Sequence, residues 1–197
     1  GAYKNVIVVG ADKMSSITDY TDRSTCILFG DAAGAILLQA NDQGFGLQDS
    51  WMRVDGVGAE FLHMKGGGSK NPPTHETVDK KWHYLFQDGK PVFKAAVKGM
   101  AEAVNEILKR NNLSPDDIRF VVPHQANLRI IQAVADYLKF PMERVMVNIQ
   151  KYGNTTSATI PLCLWEWEDQ LKPGDKVILT SFGGGYTWGA SLWTWAY

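Results

Sequence analysis

The chain has 197 residues, 45% of them hydrophobic, with a formal net charge of −1. That supplies one packed domain of ordinary size, or one and a half small ones, and gives no field to attract nucleic acid or a membrane surface. Its apolar runs fall short of a bilayer span, it opens on no signal-like segment, and its two cysteines, Cys26 and Cys163, sit in apolar contexts without CxxC spacing, so the expectation is a cytoplasmic protein with buried thiols.

Asn5-Val6-Ile7-Val8-Val9-Gly10 reads as a fully buried strand. A buried strand needs neighbours on both sides, and nothing upstream supplies them. The expectation is therefore that residues 1–197 are the C-terminal part of a longer protein. Ala11–Arg23 is polar and loop-like. Cys26–Phe29 and Ala35–Leu38 are strand-like, separated by Gly30-Asp31-Ala32-Ala33-Gly34, small residues that allow close backbone approach. A phosphate cradle would need a Gly-Lys-Ser/Thr ending and a following helix, and this turn has neither. Leu47–Val54 reads as a further strand.

Gly56–Trp82 contains Gly66-Gly67-Gly68-Ser69 and Asn71-Pro72-Pro73-Thr74, a composition expected to hold no regular element. A long irregular loop of this kind suits a lid or binding loop. His63, His75 and His83 lie in or beside it without metal-ligand spacing, and read as solvated loop histidines.

Periodicity then becomes clear. Phe93, Val97, Met100, Val104 and Ile107 form one helical face, with Pro91 in the first turn and Lys109 and Arg110 at the C-terminal end. Ser114-Pro115-Asp116-Asp117 is a capped turn. Phe120–Val122 is a buried strand ended by Pro123. Leu128, Ile131, Val134 or Ala135, and Leu138 mark a second helix, and Val145–Ile149 a strand. Ile160, Leu164, Trp167 and Leu171 mark a third helix, with Thr155–Ser157 as cap candidates. Val177–Leu179 is a buried strand broken by Gly183-Gly184-Gly185, and Ala190–Tyr197 is the last strand. Alternating elements imply α/β layers on a mostly parallel sheet, with a Gly-rich hairpin adding an antiparallel pair.

The chemistry concentrates at two strand ends. His124, Gln125 and Asn127 follow Pro123; Asn154 follows Gly153 and precedes two threonines. A histidine alone is commonly a satisfied core residue, and an Asn after Gly is commonly a turn residue or helix cap. At equivalent places after consecutive strands, however, His124 and Asn154 are expected to face one cavity. Together they could donate two hydrogen bonds to one developing oxyanion, as suits a thioester or ketone carbonyl. Gly183-Gly184-Gly185 reads either as a tight turn or as a bare backbone donor.

At these residues the chain resembles a known family. Pro123-His124-Gln125-Ala126-Asn127-Leu128-Arg129-Ile130, Gly153-Asn154-Thr155 and Phe182-Gly183-Gly184-Gly185-Tyr186-Thr187-Trp188-Gly189 look like β-ketoacyl-acyl-carrier-protein synthase III of type II fatty acid synthesis. Arg23-Ser24-Thr25-Cys26-Ile27-Leu28-Phe29-Gly30-Asp31 is similar to a further segment of that family. The resemblance implies a thiolase-like α/β fold of duplicated αβαβα halves, normally a homodimer. Residues 1–40 would end the N-terminal half, and residues 41–197 would form the C-terminal half on a mostly parallel five-stranded sheet with an antiparallel end.

The resemblance also implies the activity. An acyl-CoA primer loads a cysteine and is joined to malonyl-acyl-carrier protein with decarboxylation. CoA and phosphopantetheine thioesters are the substrates, and no cofactor or metal is expected. His124 and Asn154 match the catalytic His and Asn, both as neutral donors to the thioester enolate. Phe182 matches a phenylalanine that assists decarboxylation, Gly184 the backbone oxyanion donor, Asn127 a residue near the pantetheine, and Arg129 a basic residue of the carrier-protein docking patch. Lys90 stands where many members carry an Asn, and its role is left open. Neither Cys26 nor Cys163 matches the family nucleophile, so the chain alone is expected to be inactive. A related polyketide or quinolone-type condensing enzyme, and a truncated half that only dimerises or binds acyl-carrier protein, are the alternative readings.

Overall fold

The computed structural model describes residues 2–197. Its centre is a four-stranded mixed sheet in the order β3 (Gly46–Val54), β8 (Thr187–Thr194), β7 (Lys176–Gly183), β6 (Phe120–Pro123). β7 and β8 form the expected Gly-rich antiparallel hairpin, β3 adds antiparallel to β8, and β6 pairs parallel to β7. The sheet is thus mixed with four named strands, where a mostly parallel five-stranded one was expected. The segment expected as a strand over Val145–Ile149 contributes a single parallel bridge, Val121 to Val145.

Side-chain alternation divides the core between the two faces of this sheet. Val121, Ile178 and Leu192 point to one face, where α2 (Gly89–Arg110) and α3 (Leu128–Leu138) pack through Met100, Val104, Ile107, Ile131 and Val134. Phe120, Val122 and Val177 point to the other, against Cys163, Leu164 and Leu171 from α5 (Thr159–Trp167) and the segment after it. Helix α2 forms where its apolar period predicts. The Asp88 carboxylate caps its start by accepting from the Lys90 N–H, and Lys109 and Arg110 occupy its last turn.

Outside this body, β1 (Asn5–Asp12) pairs antiparallel with β2 (Ala32–Gln39) in a two-stranded sheet. β1 was expected to be fully buried, yet Ile7 is 67% and Val9 63% exposed. No other strand pairs with this sheet among the described residues, so the outer apolar row stays uncovered. Cys26–Phe29 is not a strand but a series of turns. The Asp22 carboxylate takes bonds from Ser24 and Thr25, and the Cys26 and Leu28 N–H groups bond three or four residues back. Local turn chemistry therefore overrides β propensity here.

Gly56–Trp82, expected to be irregular, holds short elements. They are a 3-10 turn (Gly56–Glu60), β4 (Leu62–Met64) paired with β5 (Leu85–Gln87), and α1 (His75–Asp79), capped by a Thr74–Thr77 box. β4 and β5 position one wall of the cavity described next.

Candidate active site

Strand β6 ends at Pro123, and the His124 N–H continues the pairing by donating to the Thr180 carbonyl at 2.8 Å. This fixes the backbone from which the imidazole projects. The ring is buried, at 9% exposure. Its Nδ1 lies 2.7 Å from Thr159 Oγ1, which is itself 2.8 Å from the Thr156 carbonyl oxygen. Burial pushes the imidazole down to a pKa of about 4, so it is neutral near pH 7. When the Thr159 proton goes to Nδ1, the ring carries its own proton on Nε2, the form that donates into the cavity.

Asn154 does not follow a strand as expected. It follows the short helix α4 (Ile149–Tyr152) and Gly153, whose φ of +68° favours glycine. A parallel bridge to Phe29 holds it instead: the Asn154 N–H donates to the Leu28 carbonyl and the Gly30 N–H to the Asn154 carbonyl, both at 2.9 Å. Gly30 makes this approach possible, since a Cβ there would stand 2.3 Å from the Tyr152 carbonyl oxygen. The Asn154 Oδ1 accepts from the Thr156 N–H at 2.9 Å. This closes a side-chain turn over Thr155 and leaves the Nδ2 donors for the cavity. Thr156 itself, β-branched, sits at φ +49°, a strained backbone of the kind that clusters at working sites.

His124 and Asn154 line one cavity of about 650 Å³. Asn127, Phe182 and Gly184 share its wall. Phe182 is buried and packs on Tyr186, ring centroids 4.8 Å apart, which makes an apolar surface. Asn127 also caps α3, its Oδ1 accepting from the Arg129 N–H at 2.9 Å. Arg129 is exposed and stands outside the cavity lining, as does Lys90, while Gly89 beside it lines the wall. Neither cysteine lines the cavity. Cys163 is fully buried and its thiol is pushed up to about 12 by burial, then by the nearby Glu166 carboxylate, so it carries no ready thiolate.

Sequence reasoning assigns no role to Thr159 and reads His63 as a solvated loop residue. In the structure His63 sits on β4 in the cavity wall with Leu62, and Leu85 and Gln87 of β5 join them. Three-residue strands leave no periodic signal to find. Thr159 had a weaker signal, being the last hydroxyl of the Thr155–Thr159 cluster ahead of a helix. Among the described residues no cluster of three His, Cys, Asp or Glu side chains could hold a metal ion, and no helix is long and apolar enough to cross a membrane.

Two family models match this chain: 3-oxoacyl-[acyl-carrier-protein] synthase III over residues 1–56, and the C-terminal domain of the same synthase over residues 108–195. The chain belongs to the 3-oxoacyl-[acyl-carrier-protein] synthase III family. It is 57% identical to the β-ketoacyl-[acyl-carrier-protein] synthase III of Porphyromonas gingivalis, with 100% of this chain and 59% of that protein covered. The crystal structure of the synthase III from Aquifex aeolicus superposes with a TM-score of 0.87 at 41% identity, over 98% of this chain and 58% of that one. The Pseudomonas aeruginosa synthase III gives a TM-score of 0.88 at 38% identity, over 100% of this chain and 60% of that one. The fold is therefore the thiolase-like one of this family. The chain spans about three-fifths of the length of the family relatives it matches.

Proposed function

We propose that residues 1–197 supply the decarboxylating half of the site in a condensing enzyme that joins an acyl-CoA primer to malonyl-acyl-carrier protein. One observation carries this reading. His124 and Asn154 line the same cavity, each anchored at its inner atom, His124 Nδ1 by Thr159 and Asn154 Oδ1 by the Thr156 N–H. The outer atoms, Nε2 and Nδ2, are left to meet a thioester oxygen.

In this reading the malonyl C–C bond to the carboxylate breaks and CO₂ leaves. The electron pair enters the thioester as an enolate, and the oxygen charge is met by Nε2–H and Nδ2–H. The carbon then attacks the acyl thioester on the nucleophilic cysteine, whose thiolate departs. The Phe182–Tyr186 surface disfavours a charged carboxylate beside it and so favours its loss as neutral CO₂. Gly184 offers backbone to the second oxyanion, and Asn127 lies along the pantetheine path. The reading calls for no cofactor beyond the CoA and phosphopantetheine thioesters.

The nucleophile is assigned to residues outside this chain, because neither cysteine here reaches the cavity. The uncovered apolar row of β1 suits burial by that remaining part or by a second subunit of a homodimer. Arg129, exposed at the first turn of α3, suits docking of an acidic carrier protein. The test is done in the full-length enzyme. His124→Ala and Asn154→Ala should each cut malonyl decarboxylation by roughly 10²–10³ while acyl loading continues. Unchanged decarboxylation in either variant refutes the role.

A further inference from the structure

Gln125 directly follows His124 in the sequence. It is fully buried, at 0% exposure. Its Nε2 donates to the Pro123 carbonyl at 2.7 Å and to the Met146 carbonyl at 3.1 Å. Its Oε1 accepts from the Asn148 N–H at 3.0 Å and the Ile149 N–H at 3.2 Å. A primary amide has two donor hydrogens and two acceptor lone pairs, and all four are used.

The partners lie on the two segments that carry the catalytic pair. Pro123 ends β6 and leads into His124. Met146 to Ile149 lead into α4, whose end is tied down by the Gly153 N–H donating to the Ile149 carbonyl, one residue before Asn154. Between these segments the backbone pairing is brief: the Val121–Val145 bridge and the Met146 N–H donating to the Val121 carbonyl at 3.0 Å. Beyond that point the Gln125 amide stands in for a peptide unit of a missing strand. It presents N–H to one carbonyl and C=O to two N–H groups across the gap.

We infer that Gln125 is a positioning residue that sets the spacing of His124 and Asn154, resting on the reading that this pair stabilises the enolate. A displacement of about 1 Å at such a site can cost on the order of a hundredfold in rate. Loss of the bonds to Met146, Asn148 and Ile149 leaves the bridge at Val121 as the hydrogen-bonded link between the two segments.

The experiment compares Gln125→Met, Asn154→Ala and the double variant in the full-length enzyme, with decarboxylation and acyl loading measured separately. Gln125→Met should lower the decarboxylation kcat by about 10- to 100-fold, with KM for the malonyl substrate and acyl loading within about twofold. In the Asn154→Ala background it should add little, because it acts through Asn154. Should Gln125→Met fail to fold, Gln125→Glu, of the same shape, is read the same way. Its loss should shrink as pH falls, since a protonated carboxyl regains one donor. If Asn154→Ala slows decarboxylation but the Gln125 variant does not, the inference fails and the reading of the pair stands. If Gln125→Met lowers loading and decarboxylation alike, or keeps its full effect beside Asn154→Ala, the residue is only structural and the inference fails. If Asn154→Ala itself changes nothing, both fall.

Discussion

His124 Nδ1 and Thr159 Oγ1 lie 2.7 Å apart, and this contact decides what the imidazole can do. The Thr159 hydroxyl has one proton and two neighbours, Nδ1 and the Thr156 carbonyl oxygen at 2.8 Å. With the proton on the Nδ1 side, Nε2–H donates to the cavity. With it on the carbonyl side, Nδ1 must hold the ring proton and Nε2 becomes an acceptor.

The enolate-stabilising role requires the first arrangement. Long-range ¹H–¹⁵N spectra of ¹⁵N-histidine-labelled protein, with the His124 signals assigned from a His124→Asn spectrum, should show a pyridine-type Nδ1. Thr159→Ser should preserve it. Thr159→Val should disturb it and slow decarboxylation by about 5- to 150-fold, the range for leaving a buried polar atom unpaired at about 1–3 kcal/mol. A pyrrole-type Nδ1 in the unaltered protein would make His124 an acceptor at rest.

The buried ring also has a pH signature. In the unfolded chain it takes up a proton near 6.5, whereas in the fold it does so near 4. Between those values the unfolded state binds more protons, so acidification from about pH 6.5 to 4 lowers stability through this group. An NMR titration should place the His124 midpoint well below the ordinary imidazole value. His124→Gln should remove this component from the pH dependence of unfolding.

Gly30→Ala tests how Asn154 is held. The new Cβ would meet the Tyr152 carbonyl oxygen at 2.3 Å, a backbone atom that cannot swing away. A loss of about 1–3 kcal/mol in stability is expected. Decarboxylation should fall more than acyl loading, because the shift is delivered to the Phe29–Asn154 bridge. Denaturant unfolding and the two half-reaction assays check both.

Arg129→Glu should weaken use of malonyl-acyl-carrier protein and leave use of acyl-CoA unchanged. The effect is expected in association and should shrink as salt rises, as for exposed charges. Equal losses with both substrates would trace to folding instead.

The elements readable in advance are those with a local period. The apolar face of α2, the Leu128–Leu138 stripe of α3 and the short apolar runs of β6 and β7 are properties of neighbouring residues, and they appear where the sequence puts them. The convergence of His124 and Asn154 was expected from places after two apolar runs; both line one cavity, although Asn154 follows a short helix and Gly153 where a strand end was expected.

What supports that pair was decided only by the assembled fold. Asn154 is pinned by Leu28 and Gly30, the ring of His124 by Thr159, and the segments behind both by Gln125. Each is a hydrogen bond between stretches far apart in the chain. No periodicity records which distant carbonyl or N–H a side chain will meet. The same cause explains the strand expected over Val145–Ile149. Its residues have the apolar character of a strand, but the Asn148 and Ile149 N–H groups are taken by the Gln125 amide and the pairing ends at one bridge. Apolar pattern sets what is buried, and competition among hydrogen-bond partners in the folded chain sets where the ladder stops.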